Sequence, residues 1–219
     1  MSGAPLTDLL ATLGITLPAG AIEQLEWLGR ELLRWNRTHN LTAITAADEV
    51  REKHLADSLT LLPLLGNARR LLDLGSGAGF PALPVKIARP DLAVVAVEAV
   101  GKKVAFQRHV ARALKLESFT ALHARAESLG EAELCGPGFE VVTARALGSL
   151  PLLARLAAPY LTPGGRLIAM KGAEGEAELA ATQTELAMLG FVCTGRNLLR
   201  LPVTGSERIL IVLERSLFP

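Results

Sequence analysis

The segment AIEQLEWLGRELLRWN places Ile22, Leu25, Leu28, Leu32 and Trp35 at alternating three- and four-residue steps, the stripe of an amphipathic helix. A shorter helical pattern occupies 6–13. A third helix is expected from a Thr45 cap through AADEVREKHLADSLTLL, with Asp48 and Glu49 in its first turn, where the helix dipole favours acids. From position 69 the period changes. RRLLDL, DLAVVAVE, FTALHA, FEVVTA and GGRLIAMKG read as short buried strands, and FPALPVKIAR, GKKVAFQRHVARALKL and LPLLARLAAPY as helices among them. Such alternation needs crossover connections, hence a largely parallel sheet covered on both faces. After a last helix over 174–189, FVCTGRNLLRL and RILIVLER are joined by only a short link. They are expected to pair as a hairpin, which brings a terminal antiparallel strand into the sheet. The predicted organisation is α/β: a helical cap over 1–66 packed on a main domain over 67–219.

Of the 219 residues, 50% are hydrophobic and only 4% aromatic, so the core is expected to be built from Leu, Ala and Val. No uncharged apolar run is long enough to cross a bilayer, and MSGAPLTDLL lacks the basic start and apolar centre of a secretory signal, so the expectation is a cytoplasmic protein with no membrane association. Cys135 and Cys193 have no Cys or His nearby at metal-ligand spacing, which reads as small hydrophobes and no metal site. A net charge of +1 means that attraction to nucleic acid would have to come from local basic clusters. A monomer is the default expectation.

Chemistry concentrates in LLDLGSGAGFP, residues 71–81, the first strand-to-helix turn and thus the usual ligand cradle of an open parallel sheet. Gly75, Gly77 and Gly79 allow positive φ and close approach of a ligand to the backbone. Glu98, ending the second strand, stands where a carboxylate accepts both hydroxyls of a ribose. The dinucleotide fingerprint fails, because its third glycine would fall on Phe80. Asp73 would repel a pyrophosphate but suits the ammonium and sulfonium charges of S-adenosyl-L-methionine. A methyl donor therefore fits better than NAD.

The segments LLRWNRTHNLTAIT, EKHLADSLTLLPLL, LLDLGSGAGFPALPVKIARPD, GKKVAFQRHVARALKL, ARAES, VVTARALGSL and GGRLIAMKG, in this order, resemble the bacterial RsmG (GidB) family, over roughly residues 25–215. The resemblance implies a class I S-adenosylmethionine-dependent methyltransferase of Rossmann-like fold that methylates N7 of one guanine in small-subunit (16S) ribosomal RNA. It also implies cofactor contacts at Gly75 and Phe80, at Glu98, Ala99 and Val100, at Ala126 and Glu127, and at Arg145. The chain departs from the family at Ala82, where members commonly carry a further glycine. It departs again in RALGSL, where Leu147 replaces the aromatic of RAFASL, beside the methyl-acceptor pocket.

Guanine N7 already carries a lone pair, so displacement at a sulfonium needs no prior proton removal and no catalytic base is expected. Consistently, the fourth strand ends in TARAL, without the Asn/Asp-Pro-Pro-aromatic run of amino-methylating enzymes and without a Pro-Cys nucleophile. Arg145 is read as a donor to guanine O6 beside N7 or to the cofactor, or else as a salt-bridge partner of Asp73 or another strand-end acid. Lys171 is read as a phosphate or base contact, or else as a solvated strand-end lysine. Arg34, Arg37 and Lys53 in the cap, and Lys102 and Lys103 with Arg108 and Arg112 on one helix, are candidate grips for phosphates flanking an unstacked base, or else solvated faces. His54 and Asp57 read as a structural hydrogen-bonded pair near the site. The expected partner is small-subunit ribosomal RNA, in a subunit or assembly intermediate. The rival readings are methylation of a small molecule or protein, and a non-enzymatic nucleotide-binding module.

Overall fold

The structure, a computed structural model, describes residues 3–129 and 138–215. Its strands are β1 Arg70–Leu74, β2 Ala93–Glu98, β3 Phe119–His123, β4 Phe139–Arg145, β5 Leu161–Lys171, β6 Phe191–Arg200 and β7 Glu207–Arg215. They form one sheet in the order β3-β2-β1-β4-β5-β7-β6. β1 pairs in parallel with β2 and β4, as at Leu72↔Val95 and Leu72↔Val142, while β7 runs antiparallel to both neighbours. The expected hairpin is therefore present, and its second strand is the one inserted next to β5. Central β1 and β4 are buried almost throughout, as strands covered on both faces must be, whereas edge strand β6 is largely exposed.

On one face, Leu72, Val142, Leu167 and Ile211 pack with Leu153 of α7 (Leu150–Ala157) and Leu179 of α8 (Gly175–Met188). On the other, Leu71, Val94, Val141 and Ile168 pack against Ala82 and Val85 of α5 (Ala82–Ala88). The helices N-terminal to β1 add a further layer. The stripe of α2 (Ala21–His39) points Leu25, Leu28 and Leu32, all fully buried, into a cluster with Leu6 and Leu9 of α1 (Leu6–Thr12), Leu83 of α5, and Phe106 and Val110 of α6 (Gly101–Ala113).

The third helix differs from expectation in two ways. It begins after Ala46, with no side-chain cap from Thr45, although Asp48 and Glu49 do occupy the first turn. It also changes form along its length, running as α3 Ala47–Val50, a π-helical segment Arg51–Ala56 and α4 Asp57–Leu59. π segments inside helices cluster at functional sites. Here the segment carries buried Glu52, which accepts the Val203 and Thr204 N–H groups of the β6–β7 turn. Asp57 follows it, held by Arg208 of β7 at 3.1 Å. Two buried acids thus tie the N-terminal helices to a hairpin some 150 residues away in the chain.

Cys193 is a half-buried free thiol on β6, and Cys135 lies outside the described residues. Among the described residues, no cluster of His, Cys, Asp and Glu is arranged to hold a metal ion, and no helix is long and apolar enough to cross a membrane.

Candidate active site

At the carboxyl end of β1 the backbone enters the left-handed region, with φ of +68° at Gly75 and +59° at Gly77. The turn is braced from three directions. Ser76 N–H donates to the Val97 carbonyl at 2.9 Å. Gln107 of α6, fully buried, donates its amide to Ser76 Oγ and the Gly77 carbonyl, both at 2.7 Å. Glu98 accepts Gly77 N–H on Oε2 and Val100 N–H on Oε1, each at 2.8 Å. One N–H on each oxygen fixes the carboxylate and leaves further lone pairs for a ligand's hydroxyls.

This turn forms one wall of a cavity of about 840 Å³. Its lining includes Gly75, Gly77, Glu98, Ala99, Ala126 and Glu127, and also Thr42, His54, Phe80, Lys103, Arg145 and Leu147. Nothing lies within 4 Å of where a Gly77 Cβ would be, so a side chain there would enter open space. Two expected contacts sit off this wall. Val100 does not line the cavity, its N–H being turned to Glu98. Asp73 lies beneath the wall, fully buried, with Oδ2 accepting Ala82 N–H at 3.2 Å and Oδ1 receiving no hydrogen bond. An orphaned buried carboxylate oxygen is costly, and a cationic ligand nearby would relieve that cost.

Burial pushes the Asp73 carboxyl from 3.8 up to about 8, with the Arg145 charge and the Ala82 N–H opposing and Glu98 adding to the rise. His54 moves the other way, from 6.5 down to about 3, first through burial and then through the Arg145 charge. The folded chain therefore holds a proton on Asp73 that the unfolded chain loses above 3.8, and refuses one on His54 that the unfolded chain takes below 6.5. Between those values the two opposite slopes cancel. From pH 6.5 to about 8 only Asp73 remains, and its contribution to stability declines as pH rises. Asp73→Asn is expected to flatten that decline in denaturant titrations across this range, and an unchanged slope would contradict the assignment.

Arg145, at the end of β4, is held by three contacts: Nη1 to the Lys53 carbonyl at 3.0 Å and to Asp57 Oδ2 at 3.2 Å, and Nη2 to His54 Nδ1 at 3.3 Å. A guanidinium only donates, so Nδ1 accepts and the imidazole proton sits on Nε2, facing Thr42 Oγ1 at 2.9 Å. His54 and Asp57 thus meet through Arg145, which corrects the expectation of a direct pair. The acid bound by Arg145 is Asp57, not Asp73. The neutral His54 ring stacks on Phe80 at 4.7 Å between centroids.

The basic candidates scatter. Lys171 is bound by Glu178 at 2.8 Å and by the Gly148 carbonyl, and it does not line the cavity. Arg34 pairs with Glu31 and Lys53 with Glu49. Arg37 and Lys102 are exposed and, like Lys103, make no ion pair among the described residues. The sequence reading missed Gln107 and Thr42. A lone polar residue among Val104, Phe106 and Val110 was the available signal for Gln107. Thr42 belongs to a loop that Asn36 pins by accepting the Leu41 and Thr42 N–H groups.

Residues 21–200 match the family model GidB, described as rRNA small subunit methyltransferase G. A curated protein of Syntrophotalea carbinolica named ribosomal RNA small subunit methyltransferase G is 51% identical, covering 96% of this chain and 97% of its own. One of the same name from Myxococcus xanthus is 47% identical over 99% of this chain and 100% of its own. Among solved structures, a ribosomal protein L11 methylase of Lactobacillus delbrueckii subsp. bulgaricus is similar in fold, with TM-score 0.57 and 14% identity over 75% of this chain and 79% of that one.

Proposed function

Since the chain belongs to the rRNA small subunit methyltransferase G family, we propose that it methylates N7 of one guanine in small-subunit (16S) ribosomal RNA with S-adenosylmethionine as donor. One observation carries the reading: the Glu98-braced turn and the immobilised Arg145 open onto the same cavity.

The donor would sit against the glycine turn and Glu98. Glu98 would take the ribose hydroxyls, Gly75 and Gly77 admit the ligand against backbone, and Ala99, Ala126 and Glu127 would border the base. Bound there, S-adenosylmethionine supplies an electrophilic methyl group, so a nitrogen that already has a free lone pair needs no base. The remaining work is positioning, where well-held reactants reach effective molarities on the order of 10⁵ M or more. Three of the five Arg145 N–H groups are committed within the protein, leaving Nε–H and one Nη2–H. These would hold guanine O6 and so leave the N7 lone pair free. Phe80, stacked on His54, and Leu147 would wall the base. Residues 1–66 serve as the cap of this site on a Rossmann-like domain over 67–219, and Arg37, Lys102 and Lys103 would grip flanking phosphates. The enzyme acts as a cytoplasmic monomer on RNA within a subunit or assembly intermediate.

Incubation with labelled donor and separated pools of ribosomal RNA, protein and metabolites tests the reading. Label at guanine N7 of small-subunit RNA is expected, and label confined to protein or metabolites would overturn it. Glu98→Ala is expected to weaken donor binding by about 10- to 150-fold, the loss of a charge-assisted contact of about 1.5–3 kcal/mol. RNA affinity should stay unchanged. A donor affinity within about threefold of wild type by calorimetry, under roughly 1 kcal/mol, would remove Glu98 from the cradle.

A further inference from the structure

The loop that follows Arg145 is held in a strained form from both ends. Ala146 sits at φ +55°, a left-handed conformation that an alanine keeps only where its surroundings fix it. Ala146 and Leu147 both line the cavity, and the Leu147 side chain lies against the donor turn, with Cδ1 2.6 Å from where a Gly75 Cβ would stand. The near end of the loop is anchored through Arg145 to the Lys53 carbonyl and Asp57. Its far end is gripped from outside the cavity. Lys171, one residue past the Arg145↔Met170 pairing of β4 and β5, donates to the Gly148 carbonyl. Glu178, in the first turn of α8, accepts Leu150 N–H on Oε1 at 2.6 Å and binds Lys171 Nζ through Oε2 at 2.8 Å. α8 comes this close because it starts on a glycine: a Cβ on Gly175 would lie 2.7 Å from Lys171 Cβ. Neither Lys171 nor Glu178 lines the cavity.

We propose that Lys171 and Glu178 are positioning residues for methyl transfer: they hold the loop so that Leu147 stays against Gly75 and aligns the acceptor base with the donor. The proposal rests on the reading in which Leu147 walls that base. An ion pair that only docked α8 on the sheet would need no contact with the loop. Here each partner also binds loop backbone, at Gly148 and Leu150, on either side of Ser149. Leucine has no hydrogen-bonding group of its own, so its place in the cavity is set by backbone and packing alone. The site thus has two clamps, Asp57 on the Arg145 side and Glu178 on the far side, with Leu147 between them.

The test is a set of single-turnover rates at saturating small-subunit ribosomal RNA and donor, measured below the melting temperature of each variant. Glu178→Ala and Lys171→Met are each expected to slow methyl transfer about tenfold, a fraction of the roughly 10²-fold loss that a misplacement of about 1 Å brings. Donor Kd should stay within about threefold of wild type, since Glu98 and the glycine backbone are untouched. Leu147→Ala should slow transfer by a similar factor. Because the pair acts through Leu147, adding Glu178→Ala to Leu147→Ala should cost little more, whereas independent effects would multiply to about 100-fold. A pair that merely docks α8 would lower the melting temperature and leave the rate alone. A wild-type rate in either folded single variant, or multiplied losses in the double variant, would overturn the proposal and leave the ribosomal RNA reading standing. Failure of the wild type to methylate that RNA would overturn the functional reading and the proposal with it.

Discussion

Replacing Asp57 with alanine is expected to cost about 3–5 kcal/mol of folding stability, the loss found when one partner of a buried ion pair is removed. The Asp57 side chain is 4% exposed and sits between Arg145 at 3.2 Å and Arg208 at 3.1 Å, themselves 19% and 23% exposed. Truncation therefore strands two cations, one of them at the end of β4 and the other on β7. The same change frees Arg145 to leave the cavity, and misplacing a positioning group by about 1 Å costs on the order of 10²-fold in rate. Asp57→Asn keeps the shape and one of the two acceptors, its NH2 facing the other arginine donor, and should fall between alanine and wild type in both respects. Chemical denaturation and single-turnover methyl transfer measure the two effects separately. A stability loss below about 1 kcal/mol would mean that the arginines are held from elsewhere.

The other large effect is expected at Gly75. At φ +68° any residue with a Cβ is strained by about 1–2 kcal/mol, and that Cβ would lie 2.6 Å from Cδ1 of Leu147. In Gly75→Asp, Leu147 must shift and a second carboxylate joins Glu98 in the same wall. Donor binding should fall more than about 100-fold, equivalent to roughly 3 kcal/mol, while the sheet still folds. Calorimetric titration beside a melting curve checks both parts, and donor affinity within about threefold of wild type would show that the turn is not the cradle. The first obstacle to the new side chain is Leu147.

The parts of the site that were legible beforehand are local in the chain. An apolar strand running into Gly75 and Gly77, and an acid closing the next strand at Glu98, follow from periodicity and spacing, and the structure joins them directly through the Gly77 N–H. What stayed hidden depends on contacts between distant segments. Asp57 and Arg145 are 88 residues apart, and Glu52 reaches a turn some 150 residues away, so no local pattern marks either acid as buried. The π-helical segment is equally silent, because VREKHLAD reads as ordinary α-helix, and α spacing made His54 and Asp57 look like partners of each other. The Lys171 ion pair was hidden for a related reason. A strand-end lysine faces the ligand side by default, but α8 folds Glu178 back onto it.

The most direct test of the account is a map of N7-methylated guanines in small-subunit ribosomal RNA from cells with and without this protein. The account predicts that one guanine loses its methyl group when the protein is absent and regains it on incubation with the protein and S-adenosylmethionine, but not with the Gly75→Asp variant. Identical methylation patterns in the two RNAs would contradict it.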